Sequence, residues 1–190
     1  MKRYIYLSLC CLWASLSMHA ASYSGTLPVL HILTENNAPI VSKDDYINAT
    51  YYLDAMGQEN IESIGSATAP LTMEIKGRGN YTWKGFDKKP YRLKLTDKQP
   101  LLGMTKSKHF ALLAHADDSK GFMRNAIGFE LARLMGMTWT PMAKPVEVVL
   151  NGDYIGLYFL TETIRVDADR VNVVEQEDEE TDLAKVTGGW

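Results

Sequence analysis

The sequence predicts an α+β fold, a mostly antiparallel sheet with one main helix. Three observations carry that class. Residues 71–76 and 91–96 alternate strictly between apolar and polar side chains. Two apolar runs flank Asn151-Gly152, a strong hairpin signal. Between them, residues 119–135 hold the chain's one extended helical period.

Taken in order, "LPVLHIL" (27–33) reads as a strand, followed by a turn at "ENNAP". "YINATYYLDA" carries the β-branched and aromatic residues of a second strand, and "IESIGSATAP" is loop-like. "LTMEIK" sets Leu71, Met73 and Ile75 against Thr72, Glu74 and Lys76. After Pro90, Tyr91, Leu93 and Leu95 oppose Arg92, Lys94 and Thr96. These two strands form a half-buried antiparallel pair. "HFALLAHA" is a short apolar strand. The helix that follows has Asp117 or Asp118 as its N-cap and Gly136 just past its end. "PVEVVLNGDYIGLYFLTETI" is the second hairpin, and "EQEDEETD" an acidic, solvated stretch.

At 190 residues, nearly half of them apolar, the chain can bury a full core. Residues 1–21 are set apart. Lys2 and Arg3 precede an apolar run, and Ala20-Ala21 supply small residues, the order of a secretory signal peptide. The run falls short of the roughly 20 residues that a membrane span needs. The expected location is therefore secreted or cell-envelope, with membrane contact only through an uncleaved signal segment. Bulky Leu9 before Cys10 argues against a lipid anchor. Both cysteines, Cys10 and Cys11, lie in that segment, so the mature chain has no disulfide. Without Lys2 and Arg3, 18 basic residues face 23 acidic ones, a net charge of about −5. No overall basic field favours nucleic acid. Positive charge is instead local, on Lys76, Arg78, Lys84, Lys88, Lys89 and Lys94.

That local charge surrounds a glycine pair in "MEIKGRGNYTWKGFDKKPYRLKL". Gly77 and Gly79 allow amide N–H groups to line a concavity, and Arg78 offers a charged fork for phosphate oxygens. Thr82 stands where a G-x-G-x-x-G motif needs its third glycine, so an ordinary turn is the competing reading. Tyr81 and Trp83 could stack on a ligand ring or simply form the sheet's rim. On the helix, Met123, Ile127, Leu131 and Leu134 fall within about 80° of one another at 100° per residue. Glu130 lands in the same stripe, where a carboxylate needs a cation. Lys94 is the first candidate; the alternative is Glu130 bending out to water. Glu162 sits at a strand exit. His31, His109 and His115 lack metal-ligand spacing and read as structural or surface residues.

"KGRGNYTW", "KKPYRLKL", "LLGM", "ALLAHADDSKGFMRNAIGFELARLMG", "VEVVLNGDYIGLYFLTETI" and "DRVNV" occur in the order and spacing of one family. Over residues 71–173 the chain resembles the CotH (spore-coat protein H) kinase-like family. The resemblance implies the N-lobe of an atypical protein kinase, which uses ATP with Mg or Mn to phosphorylate serine on proteins. On that template Lys94 is the strand lysine facing the phosphates and Glu130 the helix glutamate that holds it. Gly77, Arg78, Gly79 and Asn80 become a phosphate-facing loop, and Glu162 leads toward the adenine. Residues 22–174 are the CotH-like region, and 175–190 the acidic segment and start of a further part. The family's catalytic base and metal-binding aspartate lie in a second lobe, which the residues after Val173 cannot form. The expectation is an N-terminal portion, inactive alone, with a protein substrate. The alternative is a non-catalytic secreted or surface module for adhesion or binding.

Overall fold

The computed structural model describes residues 24–118 and 121–173. The signal segment (1–21), both cysteines, the first two residues of the expected helix and the acidic segment (175–190) lie outside these residues. Seven strands form: β1 Val29–Thr34, β2 Ile47–Asp54, β3 Leu71–Gly77, β4 Tyr91–Gln99, β5 Ser107–Leu113, β6 Ala143–Leu150 and β7 Asp153–Glu162. Two helices accompany them, α1 Tyr81–Gly85 and α2 Arg124–Leu134.

The strands close into a barrel in the order β1–β2–β3–β4–β5–β7–β6. Every neighbouring pair is antiparallel except β1 with β6, which run parallel and complete the ring. Closure leaves no open sheet edge. The expected α+β fold, a mostly antiparallel sheet with one main helix on the plan of a kinase N-lobe, is thus corrected. The core lies inside a closed mixed barrel, and no helix is needed to cover it.

The interior is built from the apolar half of each alternating strand. Leu30, Ile32, Tyr51, Leu53, Ile75, Leu93, Leu95, Phe110, Val146, Val148 and Tyr158 are all at most 3% exposed. A 3-10 turn, Leu101–Gly103, adds two more fully buried leucines. Burying a leucine or isoleucine contributes about 1.5–3 kcal/mol, so this lining is the main source of stability.

The β6–β7 hairpin turns on Asn151 and Gly152, with φ of 52° and 88°. Both angles are positive, as a two-residue turn of that hand requires. Asn151 also ties the hairpin to the end of β1. Its amide donates to Ile32 O at 2.8 Å. Its side-chain oxygen accepts the Thr34 N–H at 2.8 Å. Buried Glu147 on β6 does the same for the segment before β1, accepting from the Ser24 amide and hydroxyl and from Tyr154.

Helix α2 departs most from expectation. None of its residues is fully buried, and Met123, Ile127, Leu131 and Leu134 are 49–74% exposed. The apolar stripe faces outward, while Ala126, Phe129 and Ala132 are the partly covered positions. Its C-terminal end follows the sequence, but its start is corrected: α2 begins at Arg124 with Met123, not Asp117 or Asp118, as the N-cap, although Asp118 still contacts the first turn. Asp118 Oδ2 accepts the Arg124 N–H at 3.1 Å. Gly136, at φ 79°, donates to Arg133 O while Met137 donates to Ala132 O. That pair of bonds is the glycine-terminated stop that a helix C-terminus favours.

Candidate functional site

A cleft of about 600 Å³ lies on the outer face of the barrel beside α2. Its floor follows from strand register. Lys76, Arg92, Ala111, Thr161 and Ala143 are successive cross-strand partners on β3, β4, β5, β7 and β6. The first four line the cleft. One end is cationic, formed by Lys43, Lys76, Arg78 and Arg92 together with Gly77, Gly79 and Asn80. The other is closed by Pro141, Glu162, Thr163 and Ile164. Asn125 and Phe129 approach from α2.

The glycine pair is neither a tight hairpin turn nor an open nest of amides. Gly77 donates to Ser42 O at 2.8 Å and Arg78 to Pro90 O at 3.1 Å, so both amides are committed within the fold. A Cβ at Gly77 would overlap the Trp83 ring, which packs directly over that Cα. Trp83 meets Tyr91 edge-on at 6.5 Å, so its face is used in packing. Gly79 has φ 78°, a left-handed angle that glycine adopts without strain. Together they let the chain turn sharply into α1 and present Arg78 to the cleft.

Arg78 and Arg92 form no ion pair among the described residues. Burial, and then the neighbouring Arg92, holds Arg78 below the ordinary arginine range. The Nε of Arg92 is buried with no hydrogen-bond partner among the described residues. Lys76 donates to Asp44 O at 3.0 Å and lies over the Tyr46 ring, and Lys43 donates to Asn80 Oδ1 at 2.9 Å. Two neighbouring guanidiniums in no ion pair among the described residues fit an anion, which offers them charge-assisted hydrogen bonds.

At the far end, Glu162 is 4% exposed. Its Oε2 accepts the Met142 N–H at 3.0 Å. The adjoining segment is pinned by Arg170, which donates to Thr163 O and Oγ1 and to His109 O. Buried His115 fixes the start of α2. Phe122 O can only accept, so His115 Nδ1 carries the proton at 2.8 Å. Its Nε2 then accepts from the Asn125 amide at 3.1 Å.

The structure therefore gathers Gly77, Arg78, Gly79, Asn80 and Glu162 around one cleft. It places Lys94 and Glu130 apart from that cleft and from each other. Lys94 pairs with Glu74 at 2.7 Å on the solvent side of β3–β4, and Glu130 pairs with Arg133 on exposed α2. The cation that reaches the cleft from β4 is Arg92, on the same face two residues earlier. Hairpin register would have singled it out, but the α1 insertion between β3 and β4 leaves that register unreadable from loop length. Asn125 and Phe129 were hidden because the stripe marking the helix's buried side turns outward. His31, His109 and His115 form no metal cluster; among the described residues no group of three His, Cys, Asp or Glu side chains is placed to hold a metal.

Compared with known protein families, the chain matches the model for the CotH kinase protein over residues 75–187, more than half its length. No curated protein matches it significantly. The matched span begins in β3, includes the residues lining the cleft other than Lys43 and Asp44, and extends past the last described residue. The chain belongs to the CotH kinase protein family.

Proposed function

We propose that the barrel-side cleft is the nucleotide site of a CotH-like protein kinase, holding the phosphates of ATP at Arg78 and Arg92. The observation that carries this is the pair of partly buried guanidiniums at the base of the Gly77–Asn80 loop, in no ion pair among the described residues although Asp44 lines the same cleft. Lys76 and Lys43 add positive charge at the same end. Anchored by His115, Asn125 supplies a neutral donor and acceptor to the cleft's α2 wall.

ATP with Mg or Mn would supply the transferable phosphoryl group for serine on a protein substrate. The role of these residues is to bind and orient: the arginines neutralise phosphate charge. The signal-like segment at 1–21 supports export of the protein to the cell envelope or beyond.

Isothermal calorimetry of the full chain with ATP, with and without Mg or Mn, tests the reading. Saturable binding at one site supports it. A folded protein that binds no ATP under either condition would refute it. A second reading, a non-catalytic secreted binding module, draws on one observation: the exposed apolar face of α2, of a kind that marks interaction sites on soluble proteins.

A further inference from the structure

His115 precedes α2, is 6% exposed and holds a left-handed backbone angle, φ 50°. Among residues with side chains, asparagine, aspartate and histidine tolerate that region best. Its ring stacks on Phe159 at 5.0 Å and on Phe122 at 6.2 Å, which fixes the ring plane. Phe122 is itself at φ 55°, and Lys88 lies over its ring at 5.2 Å. Two such residues in one connection persist only where the surroundings hold them in place. What they hold in place is the imidazole.

Both ring nitrogens are engaged, and in a fixed sense. Phe122 O can only accept, so Nδ1 donates to it at 2.8 Å and Nε2 is left bare. The group that meets the bare nitrogen at 3.1 Å is therefore the Asn125 amide NH2, and the Asn125 oxygen is turned away from it. Carbonyl, imidazole and amide form a chain whose direction is set at Phe122. Its last member is exposed and lines the cleft. Elsewhere on α2, Arg124 meets Asp118 with its own side chain largely in solvent, and Glu130 pairs with Arg133 on the helix itself. No residue of the helix is fully buried, so packing does little to orient its side chains.

Resting on the nucleotide reading above, we infer that His115 is a positioning residue for the cleft. It acts through Asn125, fixing which way that amide points and so which hydrogen bonds α2 offers a ligand. An untethered asparagine amide turns over, and a ligand that needs one orientation loses affinity to ordering it. The two ties of His115 can be separated by substitution. His115→Asn puts an amide N–H in the place of Nδ1, keeps the donor to Phe122 O and suits the left-handed angle. Its side chain is too short to reach Asn125. His115→Gln puts an oxygen near the place of Nε2, which keeps the acceptor for Asn125 and loses the bond to Phe122.

The test is calorimetry of the full chain with ATP, beside thermal melts, for wild type, His115→Asn and His115→Gln. Affinity should fall roughly 3- to 10-fold in His115→Asn, and His115→Gln should recover most of that loss. Tm should rank the opposite way, lower in His115→Gln than in His115→Asn. A histidine that only braced the fold would make affinity follow Tm. On an Asn125→Ala background, His115→Asn should lower affinity no further, because both changes remove one contact. Wild-type affinity in His115→Asn, or equal losses in the two variants, would overturn the positioning role and leave the nucleotide site standing. A folded wild type that binds no ATP would instead remove the nucleotide reading on which this role rests. Imidazole nitrogen NMR of the ligand-free wild type should show the proton on Nδ1. The opposite tautomer would overturn the inference even if neither variant folds.

Discussion

Two neighbouring rows of side chains on the outer face of the barrel carry similar cations in opposite circumstances. In one, Glu74, Lys94 and His109 are cross-strand partners, and Lys94 meets Glu74 at 2.7 Å with both side chains at least 40% exposed. In the next, Lys76, Arg92, Ala111 and Thr161 contain no acid, and Arg92 keeps a buried Nε unpartnered among the described residues. The first row is a solvated ion pair of modest worth. The second holds a partly buried charge in no ion pair among the described residues, the group on which the proposed phosphate site rests. A cation's neighbours, more than its type or its strand, decide whether it serves the fold or a ligand.

The largest expected effect breaks the ligand-facing row. Arg78→Ala removes charge-assisted hydrogen bonds of about 1.5–3 kcal/mol, so ATP affinity should drop roughly 10- to 100-fold. Calorimetry measures it, and an unchanged affinity would detach the glycine loop from the site.

Gly77→Ala probes how that loop is built. Its Cβ collides with Trp83, an overpacking cost of about 1–3 kcal/mol. Thermal melts should show Tm lower by roughly 3–10 °C. Adding Trp83→Leu should restore part of the loss, because the two changes share one contact.

A third prediction concerns His109, the half-buried end of the first row, whose buried Nδ1 has no hydrogen-bond partner among the described residues. Burial, followed by Arg165, Arg92, Arg170 and Lys94, brings the His109 imidazole down to about 4. An unfolded histidine titrates near roughly 6.5. Between those values the unfolded chain takes up a proton that the folded chain refuses. Stability from this residue is full above about pH 6.5 and declines as pH falls toward about 4. His109→Gln should therefore narrow the difference in Tm between about pH 7.5 and about pH 5. An unaltered difference would show that other groups set the acid limb.

Much of the fold is legible in the sequence, and the failures share a cause. Alternation located β3 and β4 and assigned their faces correctly, since Leu93 and Leu95 are buried while Lys94 and Thr96 are exposed. Asn151-Gly152 fixed the hairpin, and Gly136 the end of α2. Barrel closure escaped because the parallel pairing of β1 with β6 leaves no local signature: His31 meets Val149 across more than a hundred residues. Once the barrel encloses its own core, α2 has nothing to cover, and a stripe that reads as buried lies in solvent. The expectation that Glu130 meets Lys94 rested on that burial and falls with it: each has a surface partner instead. The Gly77–Asn80 loop and Glu162 reach the cleft because their positions follow from strand ends, which local pattern does specify.

The most direct test of the contrast between the two rows is tripolyphosphate binding by wild type, Arg92→Ala and Lys94→Ala, titrated side by side. Arg92→Ala should weaken binding by about 10-fold or more. Lys94→Ala, which loses only an exposed ion pair with Glu74, should leave affinity within about 2-fold. Equal losses in both variants, or a larger loss at Lys94, would contradict the assignment of the phosphate site to the unpaired row.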